Sequence, residues 1–278
     1  MSSPNPIPMA TVTISPSVES PTSTSVLSVI DVRDVTVRYN DDAAIENITF
    51  RVAGGERIAI IGPNGAGKST LINAILGLIR HQSGEITVKD DLQKLGYVPQ
   101  HEDVNWNFPV TVGDVVMMGC LRQIPRFRLP TRAHWQRVDE ALEQVGMVTF
   151  RDRQVGELSG GQRRRVFIAR ALAMEANILL LDEPFSGVDA SAQTDLMDVL
   201  DNLNAAGLTI LLSTHDLDLA FHRFDKVLAL RQRVIAFGAP REVYQTDVLT
   251  QLYGKRLLAW QDGQQVSVFV DEHGCGDC

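Results

Sequence analysis

The apolar run Arg57-Ile-Ala-Ile-Ile61 leads directly into Gly62-Pro-Asn-Gly-Ala-Gly-Lys-Ser-Thr70. No other junction in the chain constrains the fold as strongly. An unbroken apolar stretch bounded by glycine reads as a strand buried on both faces of a parallel sheet. The spacing G-x-x-x-x-G-K-[ST], between that strand and a helical pattern over 69–79, is that of a phosphate-binding loop. Its glycines let backbone N–H groups curl around phosphate oxygens, and the helix N-terminus adds a favourable dipole. Lys68 would reach the β- and γ-phosphates, and Ser69 would ligate Mg²⁺.

The rest of the chain is consistent with such a sheet. Val29-Ile-Asp-Val-Arg-Asp-Val-Thr-Val-Arg-Tyr39 alternates through Ile30, Val32, Val35 and Val37, a strand with one irregularity, and Ile48-Thr-Phe-Arg-Val52 alternates again. Ala53-Gly-Gly55 is a turn, and short strands are predicted over 85–88 and 95–98. Residues 111–119, 131–146 and 162–174 read as helices, with Trp135, Val138, Leu142 and Val145 on one face of the second. Strands over 178–182, 209–213 and 227–230 then alternate with helices over 190–203 and 217–221. This alternation implies βαβ units, a parallel sheet with helices on both faces, and a helical middle inserted into it.

A second Gly-rich turn, Gly156-Glu-Leu-Ser-Gly-Gly-Gln-Arg-Arg-Arg165, opens the third helix. It has no lysine at the P-loop position, yet a helix N-terminus can hold an anion without one. Ile178-Leu-Leu-Leu-Asp-Glu183 is an apolar strand ending in two carboxylates, a costly arrangement unless the acids have a use. Asp182 suits the Mg²⁺ shell, and Glu183 suits the water that attacks a γ-phosphate. Gln100 and His215 also follow strands, where open α/β sheets bind ligands. By spacing alone each signal is weak, since a lone His or Gln is more often structural.

Bulk properties narrow the setting. Lys and Arg total 26 against 34 Asp and Glu, a net charge of −8, which disfavours broad nucleic-acid binding. Cys120, Cys275 and Cys278 make no disulfide framework, and no signal-peptide pattern precedes them, so a reducing compartment is expected. The longest apolar runs, such as 178–181 and 210–212, span only a few residues and are too short to cross a bilayer. Work at a membrane would need a partner's span. Residues 1–27, rich in Ser, Thr and Pro, are expected to be a disordered tail, the alternative being a misassigned start codon.

In order along the chain, Gly62-Pro-Asn-Gly-Ala-Gly-Lys-Ser-Thr70, Gln100, Leu158-Ser-Gly-Gly-Gln162, Ile178-Leu-Leu-Leu-Asp-Glu183, Ser186-Gly-Val-Asp189 and His215 resemble the ATP-binding cassette of ABC transporters. The likeness covers about 29–248. It implies an α/β fold with a RecA-like P-loop NTPase core, an antiparallel β-subdomain and an inserted α-helical subdomain at about 101–165. The cassette would span 28–250, with 251–278 as a C-terminal extension. The resemblance implies ATP and Mg²⁺ as cofactors and an ATPase coupled to transmembrane transport. Gly62, Pro63, Asn64, Gly65, Ala66, Gly67, Lys68, Ser69 and Thr70 would bind nucleotide, and Tyr39 would stack on adenine. Ser69, Gln100 and Asp182 would serve Mg²⁺. Glu183, the switch residue His215 and the lid residue Gln100 would be catalytic. Cassettes of the family pair head to tail. Leu158, Ser159, Gly160, Gly161 and Gln162 would therefore act in trans, capping a γ-phosphate held by the partner's Lys68, with Asp189 at the dimer seam. Further partners implied are transmembrane permease subunits and, indirectly, a solute-binding protein, with no nucleic acid. The location implied is peripheral, on the cytoplasmic face of the inner (plasma) membrane.

The segment Val104-Asn-Trp-Asn-Phe-Pro-Val-Thr-Val-Gly-Asp-Val-Val-Met-Met-Gly119 resembles the family's docking region for permease coupling helices, with ordinary core packing as the alternative for any one of its apolar residues. Its wording resembles cassettes of bacterial manganese, zinc and iron importers. Iron-siderophore and vitamin B12 importers are the alternative. ABC ATPases of DNA repair or translation are a third class, opposed by the lack of long coiled coils, by the single cassette and by the acidic balance. Leu257-Leu-Ala-Trp260 and Gln265-Val-Ser-Val-Phe-Val270 are expected to pair as strands. Beyond them, His273, Cys275 and Cys278 could chelate an ion such as Zn²⁺, but a structural zinc site normally needs four ligands, so a frayed polar terminus is the favoured reading.

Overall fold

A computed structural model of the chain describes residues 28–89, 94–100, 109–254, 257–262 and 265–270, the last two segments as backbone. Tail 1–27, Trp106, Phe108 and the terminus holding His273, Cys275 and Cys278 lie outside the described residues.

The chain begins in an antiparallel sheet of β1 (Ser28–Tyr39), β2 (Asp42–Ala53) and β4 (Ser83–Val88), ordered β2-β1-β4. The irregularity in the alternation of β1 is a register shift between Val32 and Val35, where Asp34 adopts φ 49°. A bulge re-phases the strand, so Val32 and Val35 both stay buried.

The main sheet has six strands, ordered β5-β6-β7-β3-β8-β9. These are β3 (Arg57–Ile61), β5 (Leu95–Val98), β6 (Ile178–Asp182), β7 (Thr209–Thr214), β8 (Lys226–Arg231) and β9 (Arg233–Gly238). The first five are parallel, while β9 returns antiparallel along β8. Every residue of β6 and β7 is buried, which is why these strands read as continuous apolar runs. Adjacent residues of β3 serve different cores. Ile58 and Ile60 pack with α1 (Lys68–Ile75) and the antiparallel sheet, whereas Ala59 and Ile61 join the helical insertion.

That insertion comprises α2 (Val112–Met117), a 3₁₀ segment Met118–Gln123, α3 (Arg132–Gln144) and α4 (Gly160–Ala173). Thr111 and Asp114 form a reciprocal cap that starts α2. On α3, Val138, Leu142 and the following Val145 are buried, and Trp135 lies under the Arg151 guanidinium at 4.8 Å. Helix α4 runs unbroken past residue 165 and packs its second half on β5. The helices α5 (Ala190–Ala205) and α6 (Leu217–Arg223) follow β6 and β7 as the alternation predicts, and α7 (Pro240–Val243) and α8 (Thr246–Tyr253) lie beyond it. The expected terminal pair forms as β10 (Leu257–Asp262) with β11 (Gln265–Val270). Among the described residues, no helix is long and apolar enough to cross a membrane.

Candidate nucleotide site

β3 delivers the loop and α1 receives it. Gly67 starts the helix at φ 98°, and a Cβ there would lie 2.4 Å from Ile45 Cγ2 and 2.6 Å from the Ala44 carbonyl. Both the dihedral and the space require glycine. The Ala66 carbonyl accepts from the Gln232 N–H at 2.8 Å, tying the loop to the β8–β9 turn. The loop frames a cleft of about 410 Å³, lined by residues 64–70 with Ala44, Gln100 and Glu183.

Lys68 is almost wholly buried, and a buried ammonium must be paired. Its Nζ donates to the Gly62 carbonyl at 2.9 Å and lies 3.2 Å from Glu183 Oε1. The other Glu183 oxygen accepts from Gln100 Nε2 at 2.9 Å, with His215 Nδ1 at 3.9 Å. Glu183 thus draws together three residues that lie far apart in sequence. It does so from a left-handed backbone, φ 45°, a conformation strained for a non-glycine residue.

Ser213 on β7 holds that conformation. Its hydroxyl donates to Asp182 Oδ1 at 2.6 Å and accepts the Glu183 N–H at 2.9 Å, and its carbonyl accepts the same N–H at 3.2 Å. Asp182 is opposite Ser213 in the β6–β7 register, so the parallel pairing itself sets this contact. Burial, and after it the Asp182 charge, push the neighbouring Tyr97 phenol above its ordinary pKa. Ser69 is exposed at the cleft and Gln100 lines it, whereas Asp182 is buried outside the cleft lining and linked to Glu183 through Ser213. A hydroxyl, a carboxylate and an amide oxygen form the oxygen-only donor set a hard cation takes, so these residues fit Mg²⁺.

The second Gly-rich turn has a different character. Ser159 caps α4, its hydroxyl accepting from Gln162 N–H at 3.3 Å, while Gln162 Oε1 accepts from Ser159 N–H at 3.0 Å. The Gln162 side chain is therefore spent on the cap. Leu158 is buried and anchors the turn, whereas Ser159 and Gly160 are exposed. None of residues 158–162 lines the cleft around Lys68. Asp189 caps α5, accepting from Ala192 N–H at 2.9 Å. Tyr39 ends β1, half exposed and outside the cleft lining. Sequence reasoning did not single out Ser213 or Ala44. For Ser213 the sequence offered only a polar residue in an otherwise apolar strand, and its place opposite Asp182 emerges from the register.

A parallel sheet whose strand ends present a P-loop, a buried lysine and a carboxylate pair defines a P-loop nucleoside triphosphatase. More particularly, the model of the ABC transporter family matches residues 45–186, and the chain belongs to that family. It is 42% identical over 245 residues to the manganese transport system ATP-binding protein MntB of Halalkalibacterium halodurans, covering 86% of this chain and 98% of that protein. It is likewise 42% identical over 233 residues to the zinc transport system ATP-binding protein TroB of Treponema pallidum, covering 82% and 88%. Among solved structures, a metal-chelate type ABC transporter in an inward-facing conformation matches with a TM-score of 0.77 at 29% identity, over 87% of this chain and 96% of that one.

Proposed function

We propose that this chain is the ATP-hydrolysing subunit of an importer for a divalent transition metal, manganese, zinc or iron. The observation that carries the catalytic part is the cluster Lys68–Glu183–Gln100 at the mouth of the P-loop. A γ-phosphate in the loop competes with Glu183 for the Lys68 ammonium. Once Lys68 turns to the phosphate, Glu183 is left to accept the proton of the attacking water as the terminal phosphate parts from ADP. Gln100 and His215 stand where they can sense that exchange. Ser69, Asp182 and Gln100 would hold Mg²⁺, which would supply charge neutralisation to the phosphates.

The turn at 158–162 serves a second copy of the cassette. Gly160 supports this reading, because a Cβ there meets nothing within 4 Å and its backbone is not left-handed. Nothing in its own chain requires a glycine at that helix start, and the exposed backbone there is open to a neighbour's phosphate. Paired head to tail, two copies would place each turn over the other's phosphate, and two-fold symmetry gives two equal sites. ATP then joins the cassettes and hydrolysis parts them, driving membrane permease subunits supplied by a solute-binding protein. The cargo reading rests on the relatives named for manganese and zinc transport. The likeness to a metal-chelate type transporter keeps a chelated cargo as the second reading.

Glu183→Gln tests the cassette. Turnover should fall about 10²- to 10⁴-fold, and gel filtration with ATP and Mg²⁺ should show a persistent dimer. A variant that stays monomeric at high concentration and beside its permease overturns the ATP-joined pair. Uptake of free and chelated manganese, zinc and ferrous iron in a deletion strain decides the cargo.

A further inference from the structure

The chain has a net charge of −8, yet residues 118–132 carry four arginines and no acid. Arg122, Arg126, Arg128 and Arg132 are all exposed. No ion pair among the described residues engages them, whereas the nearby Arg137 is held by Glu175 at 3.0 Å. Interleaved with these arginines are three of the most exposed large apolar side chains described, Leu121 at 57%, Phe127 at 104% and Leu129 at 86%. Phe127 stands at the apex of a turn closed by the Arg128 N–H to the Pro125 carbonyl at 3.0 Å, and it adopts φ 67°. Glycine or asparagine fills such a position without strain, and a bulky side chain does not. The ring buries nothing in its own chain, so intramolecular packing does not account for it.

We propose that this tip is an interfacial anchor for an anionic lipid surface. Phe127 and Leu129 enter the headgroup layer, and the four arginines bind lipid phosphates. Aromatic and aliphatic side chains beside unpaired basic ones form the composition that lies at headgroup depth. Guanidinium forks match phosphate oxygens two at a time. A protein groove is a poorer fit, because Arg128 separates the two apolar side chains and they make no continuous patch. An acidic protein is repelled by an anionic surface as a whole, so attraction must be local to the tip. The contact is weak alone and becomes effective when a permease holds the cassette beside the bilayer, at high effective concentration. The inference goes beyond the nucleotide chemistry and needs no turnover, although the membrane it requires comes from the proposed function.

The test is sedimentation of the full-length chain with phosphatidylglycerol-rich vesicles and with pure phosphatidylcholine vesicles, at low and high salt. The chain should prefer the anionic vesicles, and salt should weaken the binding. Each neutralised arginine should cost about fivefold, so Arg126→Gln with Arg128→Gln should lose roughly 25-fold. Phe127→Ser with Leu129→Ser should lose about tenfold or more. The paired change Arg80→Gln with Arg241→Gln alters the net charge equally at other exposed arginines and should leave binding within about threefold. Thermal melts confirm that each variant folds, and ATPase activity of the tip variants should be unchanged. Equal binding to both vesicle types overturns the proposal, as does an equal loss in the control pair. So does a chain that ignores vesicles but loses binding to detergent-solubilised permease when Arg126 and Arg128 are changed, since that outcome assigns the tip to a protein.

Discussion

The two Gly-rich turns of this cassette both open a helix, and they differ in what the chain supplies. The P-loop is completed from within. Gly67 is pressed against Ala44 and Ile45, Ala66 is tied to Gln232, and the buried Lys68 is already matched by Glu183 and the Gly62 carbonyl. The turn at 158–162 is anchored beneath by Leu158 and capped by Ser159 and Gln162, but its outer surface, Ser159 and Gly160, faces solvent, with no steric reason for the glycine. A cradle whose parts are matched by its own chain can bind in cis, while the role proposed for the second turn is to receive a phosphate held by another copy.

The difference can be broken most forcefully with one substitution in each turn. Lys68→Ala removes a charge-assisted contact worth about 1.5–3 kcal/mol, so ATP affinity of the isolated chain should fall roughly 10- to 150-fold. Ser159→Arg should leave that affinity within about twofold and still abolish hydrolysis, because it blocks only the partner's phosphate. Equilibrium titration with a fluorescent ATP analogue separates the two. Equal losses of affinity would sink the assignment of the second turn to a partner.

Gly67→Ala sharpens the comparison through stability. The new methyl group would meet the Ala44 carbonyl at 2.6 Å from a left-handed backbone. Relief needs a shift of β2, and strain with overpacking should cost about 2–4 kcal/mol. Urea unfolding of the isolated chain reads this directly. An unchanged midpoint would show that the loop relaxes freely and is not completed by its surroundings.

How far these features were legible depends on how local their causes are. The P-loop, the strand ends at Asp182 and Glu183, and the turn before α4 are written in contiguous residues, and all were readable. The face of α3 was readable because helical period and burial agree at Val138, Leu142 and Val145. By contrast, β9 was missed. Its connection from β8 is the single residue Gln232 at φ 57°, without the glycine or asparagine that ordinarily marks a left-handed turn position. Ser213 was missed because its importance lies in the register opposite Asp182, which no single segment contains. The pairing of Lys68 with Glu183 is likewise tertiary. The exposed Phe127 was passed over because an apolar residue between arginines looks unremarkable until its backbone is seen.

Gly160→Ala is the finest probe, because its two effects should have opposite signs. Gly160 is the first residue of α4, has an ordinary backbone, and has open space where a Cβ would stand. Replacing such a glycine by alanine restricts the unfolded chain and costs the folded one nothing, so the isolated cassette should gain about 0.4–1 kcal/mol. In a head-to-tail pair, the same methyl group would stand between the exposed N-terminus of α4 and the partner's γ-phosphate. Losing even one charge-assisted hydrogen bond there, about 1.5 kcal/mol, should lower hydrolysis by about tenfold, with ATP affinity of the single chain unchanged. Thermal melts, monomer titrations and steady-state ATPase assays on one preparation settle it. A less stable variant would reveal a neighbour within the chain that the open space denies. A more stable variant with full ATPase activity would show that nothing approaches Gly160 closely, and the second turn would then be only a helix cap.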